Sequence, residues 1–335
     1  MKIAMLAPIA WATPPAAYGP WEQVTSHLTE GLVARGIEVT LFATNTSRTA
    51  GNLVATVPAG YAEQPGPDPK VMEHLHIGQV MERAGEFDLI HNQFDFMPLP
   101  WSAVVETPMV TTVHGFSSEQ IVAVYERYNR HSSYVSISNA NRHERLNYLA
   151  TVYNGIDPKQ FTVNLRPKNY LLYFGRIHPE KGAAEAVQIA LKTQKPLIMA
   201  GLVQDKQYFE EKVKPHIDGE QITYVGNVGP EERDRLMREA AAMLHPISFE
   251  EPFGLSVAES MMTGTPVIAN NRGSMPELIQ DGKNGYLSKN VDEAAEMVAH
   301  ATNLDRERIA REARARFGVE QMVAGYLSVY GMLLG

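Results

Sequence analysis

The chain carries one pattern twice: short runs rich in Val, Ile, Leu and Phe, each followed by a longer stretch whose apolar residues recur every three or four positions. In the first series the runs fall at 2–7, 37–43, 53–57, 87–90, 109–113 and 134–138. Between the first two, Trp21, Val24, Leu28 and Leu32 share one helical face, and helical spacing returns over 71–81 and 120–128. A second series follows the polar stretch 164–169, with runs at 170–174, 197–200, 222–225, 243–246 and 266–269. Strands that alternate with helices pair in parallel and are covered by helices on both faces. The repetition therefore predicts an α/β protein of two Rossmann-like domains, 1–165 and 166–316. The apolar stripe Val319, Met322, Val323, Tyr326, Tyr330 and Leu333 predicts a helix within 317–335 that packs back on the first domain. Ligands of open parallel sheets lie beyond the carboxyl ends of the strands, so two such sheets facing one another place the expected site in a central cleft.

Charge and composition remove several classes of function. Lys and Arg number 30 against 38 Asp and Glu, a net charge of −8, so no bulk positive field gathers nucleic acid or anionic lipid, and any phosphate site is local. The absence of cysteine excludes disulfides, thiol nucleophiles and cysteine-ligated metals. No apolar run reaches the roughly 18 residues of a membrane span, and the opening 1–8 is too short for a signal peptide. A cytoplasmic protein without an integral membrane segment is the expectation. The charge-laced segment 305–316 carries Glu307/Arg311 and Glu312/Arg316 at i,i+4 spacing, the signature of a solvated helix face.

Three segments carry the chemistry. In Glu251-Pro252-Phe253-Gly254-Leu255-Ser256-Val257-Ala258-Glu259, Gly254 allows a tight turn, and a helix starting near Leu255 would present amide N–H groups and its positive end to phosphate. Glu251 before that helix and Glu259 about one turn inside it supply two carboxylates suited to hydroxyls. In Gly175-Arg176-Ile177-His178-Pro179-Glu180-Lys181-Gly182, two cations flank a loop at the end of a predicted strand, where a diphosphate could be met. In the loop 8–19, Gly19 precedes Pro20, a residue suited to the first position of a helix. Neither G-x-G-x-x-G in that loop nor G-x-x-x-x-G-K-[ST] anywhere is present, which argues against nicotinamide dehydrogenases and P-loop enzymes.

Taken in order, these segments resemble the retaining glycosyltransferase family 4, of GT-B fold, over essentially the whole chain. Glu251 and Glu259 match its E-x7-E element, Gly175-Arg176 with Glu180-Lys181-Gly182 its G-R-x-x-x-E-K-G element, and Asn154-Gly155-Ile156-Asp157 its N-G-[IV]-D run. The resemblance implies that Arg176 and Lys181 neutralise a donor diphosphate and that Glu259 binds ribose. Glu251 and the turn Pro252, Phe253, Gly254, Leu255 and Ser256 would hold the donor sugar. It also implies that Gly19 approaches the diphosphate, that His114 lies near the transferred sugar, and that the turn at Gly226, Asn227 and Val228 reads the base through its main chain. Two departures stand out: Pro20 replaces a second glycine, and Arg272-Gly273-Ser274-Met275-Pro276-Glu277 replaces a commoner G-G-x-P-E, with the following helix start expected intact.

The function expected is retaining, metal-independent hexosyl transfer from a nucleotide-diphosphate sugar, UDP-glucose or a similar UDP-hexose first, to a sugar or small-molecule acceptor. No cofactor and no nucleic acid partner are expected. The acceptor and the oligomeric state are not encoded in any motif, and the loops 9–19 and 58–70 that would shape the acceptor pocket are particular to this chain. A nucleotide-sugar epimerase or a phosphorylase of the same fold, and a bilobed sugar-binding protein without chemistry, are the rival readings.

Overall fold

The computed structural model describes residues 1–64, 66 and 68–335; Pro65 and Pro67, within the Pro/Gly-rich stretch expected to be mobile, lie outside the described residues. The chain forms two compact units, residues 1–155 with 319–335, and residues 156–318. The sequence reading sets these boundaries at 165 and 316. The stretch 156–165 belongs to the second unit because its backbone is tied there: the Asn164 N–H bonds to the Thr263 carbonyl at 3.1 Å, and the Thr162 N–H to the Asp234 carboxylate at 2.8 Å.

The first unit holds seven strands: β1 (Lys2–Leu6), β2 (Glu38–Thr44), β3 (Asn52–Val57), β4 (Leu89–Asn92), β5 (Met109–Val113), β6 (Ser132–Ser136) and β7 (Tyr148–Thr151). They pair in parallel in the order β3-β2-β1-β4-β5-β6-β7, so the strand order reverses between β1 and β4. On one face Leu6, Phe42, Ile77, Val80 and Ile90 close a dry core. The middle strands depart from the usual apolar character of a parallel sheet: His91, Asn92, Thr111, Thr112, Ser132 and Ser136 are all buried, and they hydrogen-bond among themselves or with neighbouring residues. The helix Val319–Leu334 returns to this unit and packs on the helix Pro20–Ala34, burying Met322, Val323, Tyr326, Val329 and Tyr330.

The second unit holds β8 (Leu171–Phe174), β9 (Leu197–Ala200), β10 (Ile222–Tyr224), β11 (Ala242–His245), β12 (Val267–Asn270) and β13 (Gly285–Ser288), parallel throughout in the order β10-β9-β8-β11-β12-β13. Here the order reverses between β8 and β11. The helix Ala183–Thr193 covers one face with Ala186, Val187 and Ala190 against Leu171, Tyr173 and Leu197. Strands β7 and β13 are not foreseen by the sequence reading; each is four residues long and lies at a sheet edge.

Candidate functional site

In the second unit the expected residues gather where the strand order reverses. Lys181 follows β8 in a single 3-10 turn, Pro179–Lys181, and Glu251 follows β11. Their side chains meet, with Nζ 2.5 Å from Oε2, and each is only 15% and 12% exposed. His245, the last residue of β11, brings its Nε2 to 3.5 Å from the same oxygen, an electrostatic contact longer than a hydrogen bond. Burial alone would raise the Glu251 carboxyl, but His245 and the Lys181 charge outweigh it and hold the group at about 2. His245 itself is pushed down by burial. Lys181 also lies over the Phe249 ring, 4.5 Å from its centroid.

Gly254 does what its position requires. Its φ of +88° lies in the left-handed region, which turns the chain from Glu251 into the helix Leu255–Met262 with no side chain capping its start. The loop is braced from below: the Ser274 N–H donates to the Glu251 carbonyl at 2.9 Å and the Ser274 hydroxyl to the Phe253 carbonyl at 2.7 Å. The short helix Met275–Leu278 follows directly, so the departure at Arg272–Glu277 leaves that start intact. The Phe253 ring is buried and meets Phe317 edge-on at 5.9 Å, so its side chain serves the core and only its main chain serves the loop. Leu255 and Ser256 are half-buried at the helix start.

The remaining expected residues of this unit take separate partners. Arg176, half-buried at the end of β8, donates to the Gln204 side chain rather than to a carboxylate. Glu259 is buried and accepts from Arg233 at 2.9 Å; burial raises its carboxyl and Arg233 lowers it, with burial the larger. Arg233 reaches further, to Gln160 at 3.1 Å and over the Phe161 ring at 5.2 Å. Asn227, exposed, and Val228, half-buried, form the turn after the edge strand β10. Arg233 and His245 are absent from the sequence reading, and nothing in their local sequence distinguishes them from a helix-surface arginine and a strand-end histidine.

The first unit presents a different assembly. Gly19 (φ +152°) caps the helix Pro20–Ala34, and a Cβ there would lie 2.8 Å from the Pro15 Cβ, so the turn accepts only glycine. Two residues on, the Trp21 ring stacks on His114 with centroids 5.2 Å apart and planes 20° apart. His114 follows β5, is buried, and brings its Nε2 2.6 Å from the Gln93 Oε1. Burial pushes it down to about 3, so its ring is neutral. Glu22, in the same helix start, is buried with the Trp11 N–H at 3.2 Å; burial, the largest cause, and the charge of Glu63 raise it to about 7 against the pull of two main-chain hydrogen bonds. The turn after β4 is fixed by the Asn92 side chain, which accepts from the Phe94 N–H at 2.9 Å and donates to the Asp95 carbonyl at 2.8 Å. Among the described residues no group of three or more His, Asp or Glu is placed to hold a metal ion, and no helix is long and apolar enough to cross a membrane.

Comparison with known proteins bears on the whole of this architecture. The family model described as Glycosyltransferase Family 4 matches residues 21–160, and that described as Glycosyl transferases group 1 matches residues 157–318. The chain belongs to this glycosyltransferase family. The glycogen synthase of Mycobacterium tuberculosis is 25% identical over 94% of this glycosyltransferase and 90% of its own length. Spore coat protein SA of Bacillus subtilis is 24% identical over 54% of this chain, which spans 58% of that relative. Among solved structures, Anabaena HepE in complex with UDP and glucose superposes with a TM-score of 0.75 at 20% identity, covering 99% of both chains. The two parallel-sheet units are thus the Rossmann-like domains of a GT-B glycosyltransferase.

Proposed function

We propose that this glycosyltransferase moves a hexose from a nucleotide-diphosphate sugar, UDP-hexose first, to an acceptor hydroxyl with retention of configuration and without a metal. The observation that carries the reading is the meeting of Lys181, His245 and Glu251 at the strand-order reversal of the second sheet, one loop from the uncapped helix start at Gly254. A cation and helix-start amides suit a diphosphate, and a carboxylate held ionised suits sugar hydroxyls. The HepE structure, described with UDP and glucose, supports uridine as the base.

In this reading the second unit binds the donor and the first the acceptor. Arg176 and Lys181 take the diphosphate, Glu259 the ribose, Glu251 and the Phe253–Ser256 main chain the sugar, and the Asn227–Val228 turn the base. Gly19 adds main-chain contact to the diphosphate, and His114 positions the sugar. The bond from the anomeric carbon to the phosphate oxygen breaks, and one to the acceptor oxygen forms on the same face. The acceptor proton passes to the departing phosphate oxygen, so no enzyme carboxylate need form a glycosyl ester. No Asp-x-Asp occurs in the sequence, and Arg176, Lys181 and the helix start supply the positive charge for the leaving group. The test is the anomeric NMR spectrum of the first-formed product from an α-linked UDP-hexose, with and without EDTA. An α product in both is expected; a β product, or activity lost in EDTA and restored by magnesium, overturns the proposal.

A further inference from the structure

The polar groups buried in the first sheet form one connected chain that ends at His114. Its Nε2 lies 2.6 Å from the Gln93 amide oxygen, and the Gln93 amide nitrogen lies 3.0 Å from the His91 Nε2. The His91 Nδ1 lies 2.7 Å from the Tyr330 hydroxyl. The Thr112 hydroxyl is 2.8 Å from the His91 Nε2 and 2.7 Å from the Tyr326 hydroxyl. An amide oxygen only accepts, so the His114 Nε2 carries a hydrogen. An amide nitrogen only donates, so the His91 Nε2 is a bare acceptor and its Nδ1–H donates to Tyr330. Thr112 then donates to His91, sharing the one Nε2 lone pair with Gln93, and accepts from Tyr326.

One atom is left over. With Nε2 protonated and the ring neutral, the His114 Nδ1 is a lone-pair acceptor, and it is buried with no hydrogen-bond partner among the described residues. The stacked Trp21 ring fixes the plane of the imidazole, while Gln93 fixes which nitrogen is bare. We infer that Gln93, held by His91 and the C-terminal Tyr330, is a positioning residue that keeps His114 as the Nε2–H tautomer, so that its Nδ1 accepts a hydrogen bond from a ligand hydroxyl. This rests on the reading of His114 as the group that meets the donor sugar. A phosphate oxygen or a carboxylate, which only accept, has no bond to make there.

The test is nitrogen NMR of the protein labelled at histidine, with the His114 resonances assigned by their loss in His114→Gln, read beside kinetics. The wild type should show His114 as Nε2–H. Gln93→Met keeps the bulk but removes the acceptor; it should give a mixture of tautomers and lower kcat about tenfold while leaving UDP affinity unchanged, since UDP lacks the sugar. Gln93→Glu, which restores an oxygen on both sides, should keep His114 as Nε2–H and convert His91 to Nε2–H as well, and it serves if Gln93→Met fails to fold. An Nδ1–H form of His114 in the wild type, or a Gln93→Met protein with unchanged tautomer or unchanged kcat, overturns the inference. The tautomer is read without turnover, so a protein that transfers no hexose would sink the proposed function and leave this measurement standing.

Discussion

Glu22, buried, and Glu251, half-buried, are glutamates near the carboxyl ends of parallel strands, one in each unit, and they hold their protons in opposite ways. Glu22 is raised to about 7 by burial, with main-chain N–H groups and the like charge of Glu63 as neighbours and no cation among its causes; Glu251 has Lys181 and His245 and is held at about 2. The same contrast runs through both regions. The first unit builds with neutral groups, His114, Gln93, His91 and tyrosine hydroxyls, whereas the second builds with opposite charges, Lys181 with Glu251 and Arg233 with Glu259. One topology thus carries two kinds of polar side-chain assembly, and the difference follows from whether a cation is present to keep a shielded carboxylate ionised.

The hardest blow to this contrast is to remove the cation. Lys181→Ala strands a largely shielded carboxylate as well as removing the proposed phosphate contact, so UDP affinity should fall about 100-fold and stability by about 3 kcal/mol. Calorimetry and urea unfolding measure the two. Adding Glu251→Gln to Lys181→Ala should recover most of the stability; if it does not, the pair is not what holds the loop.

The pH dependence of stability separates the two glutamates by sign. Glu251 is depressed from 4.5 to about 2, so its contribution is present above about 4.5 and is lost as pH falls toward 2. Glu251→Gln should flatten that acid limb by up to about 3 kcal/mol. Glu22 is raised from 4.5 to about 7, so the native state binds the extra proton and stability falls as pH rises across that interval. Glu22→Gln should therefore stabilise at pH 8, by up to about 3 kcal/mol, and change nothing below about 4.5. Unfolding curves at several pH values check both; slopes of the same sign would erase the contrast.

Arg176→Ala, which breaks no ion pair among the described residues, should weaken UDP binding about tenfold with unchanged stability. The mildest effect is expected of Glu259→Gln: a few-fold loss of preference for UDP over its 2′-deoxy analogue, since the amide keeps one acceptor oxygen. Equal discrimination in wild type and variant would remove Glu259 from the ribose.

Sequence alone carried the two-domain α/β plan and the loops of the second unit, because Gly254, Lys181 and Glu251 are local features fixed by turn geometry and helix starts. It did not carry their partners. Lys181 reaches Glu251 because β11 ends beside β8, His245 meets the same carboxylate across the loop that follows β11, and Arg233 meets Glu259 from a neighbouring helix, Pro230–Glu239, that carries no motif. Gln93 and His91 lie in a strand and its following turn, and their role depends on Tyr326 and Tyr330, more than two hundred residues further along. Strands β13 and β7 are four residues each and lie at sheet edges, and β13 opens on Gly285, so their sequence signal is short.

The C-terminal helix also sets an order of assembly. The second unit leaves and rejoins the chain at one place, where the Ile156 N–H bonds to the Phe317 carbonyl at 2.8 Å, so on a ribosome it can close on itself as a finished insert. The first unit cannot: Tyr326 and Tyr330 are translated after the whole of that insert, and until they emerge the His91 Nδ1 lacks the Tyr330 hydroxyl and Thr112 lacks that of Tyr326. The half that is begun first is the half completed last, and a nascent chain stalled before residue 326 would carry a finished second unit beside an unfinished first one.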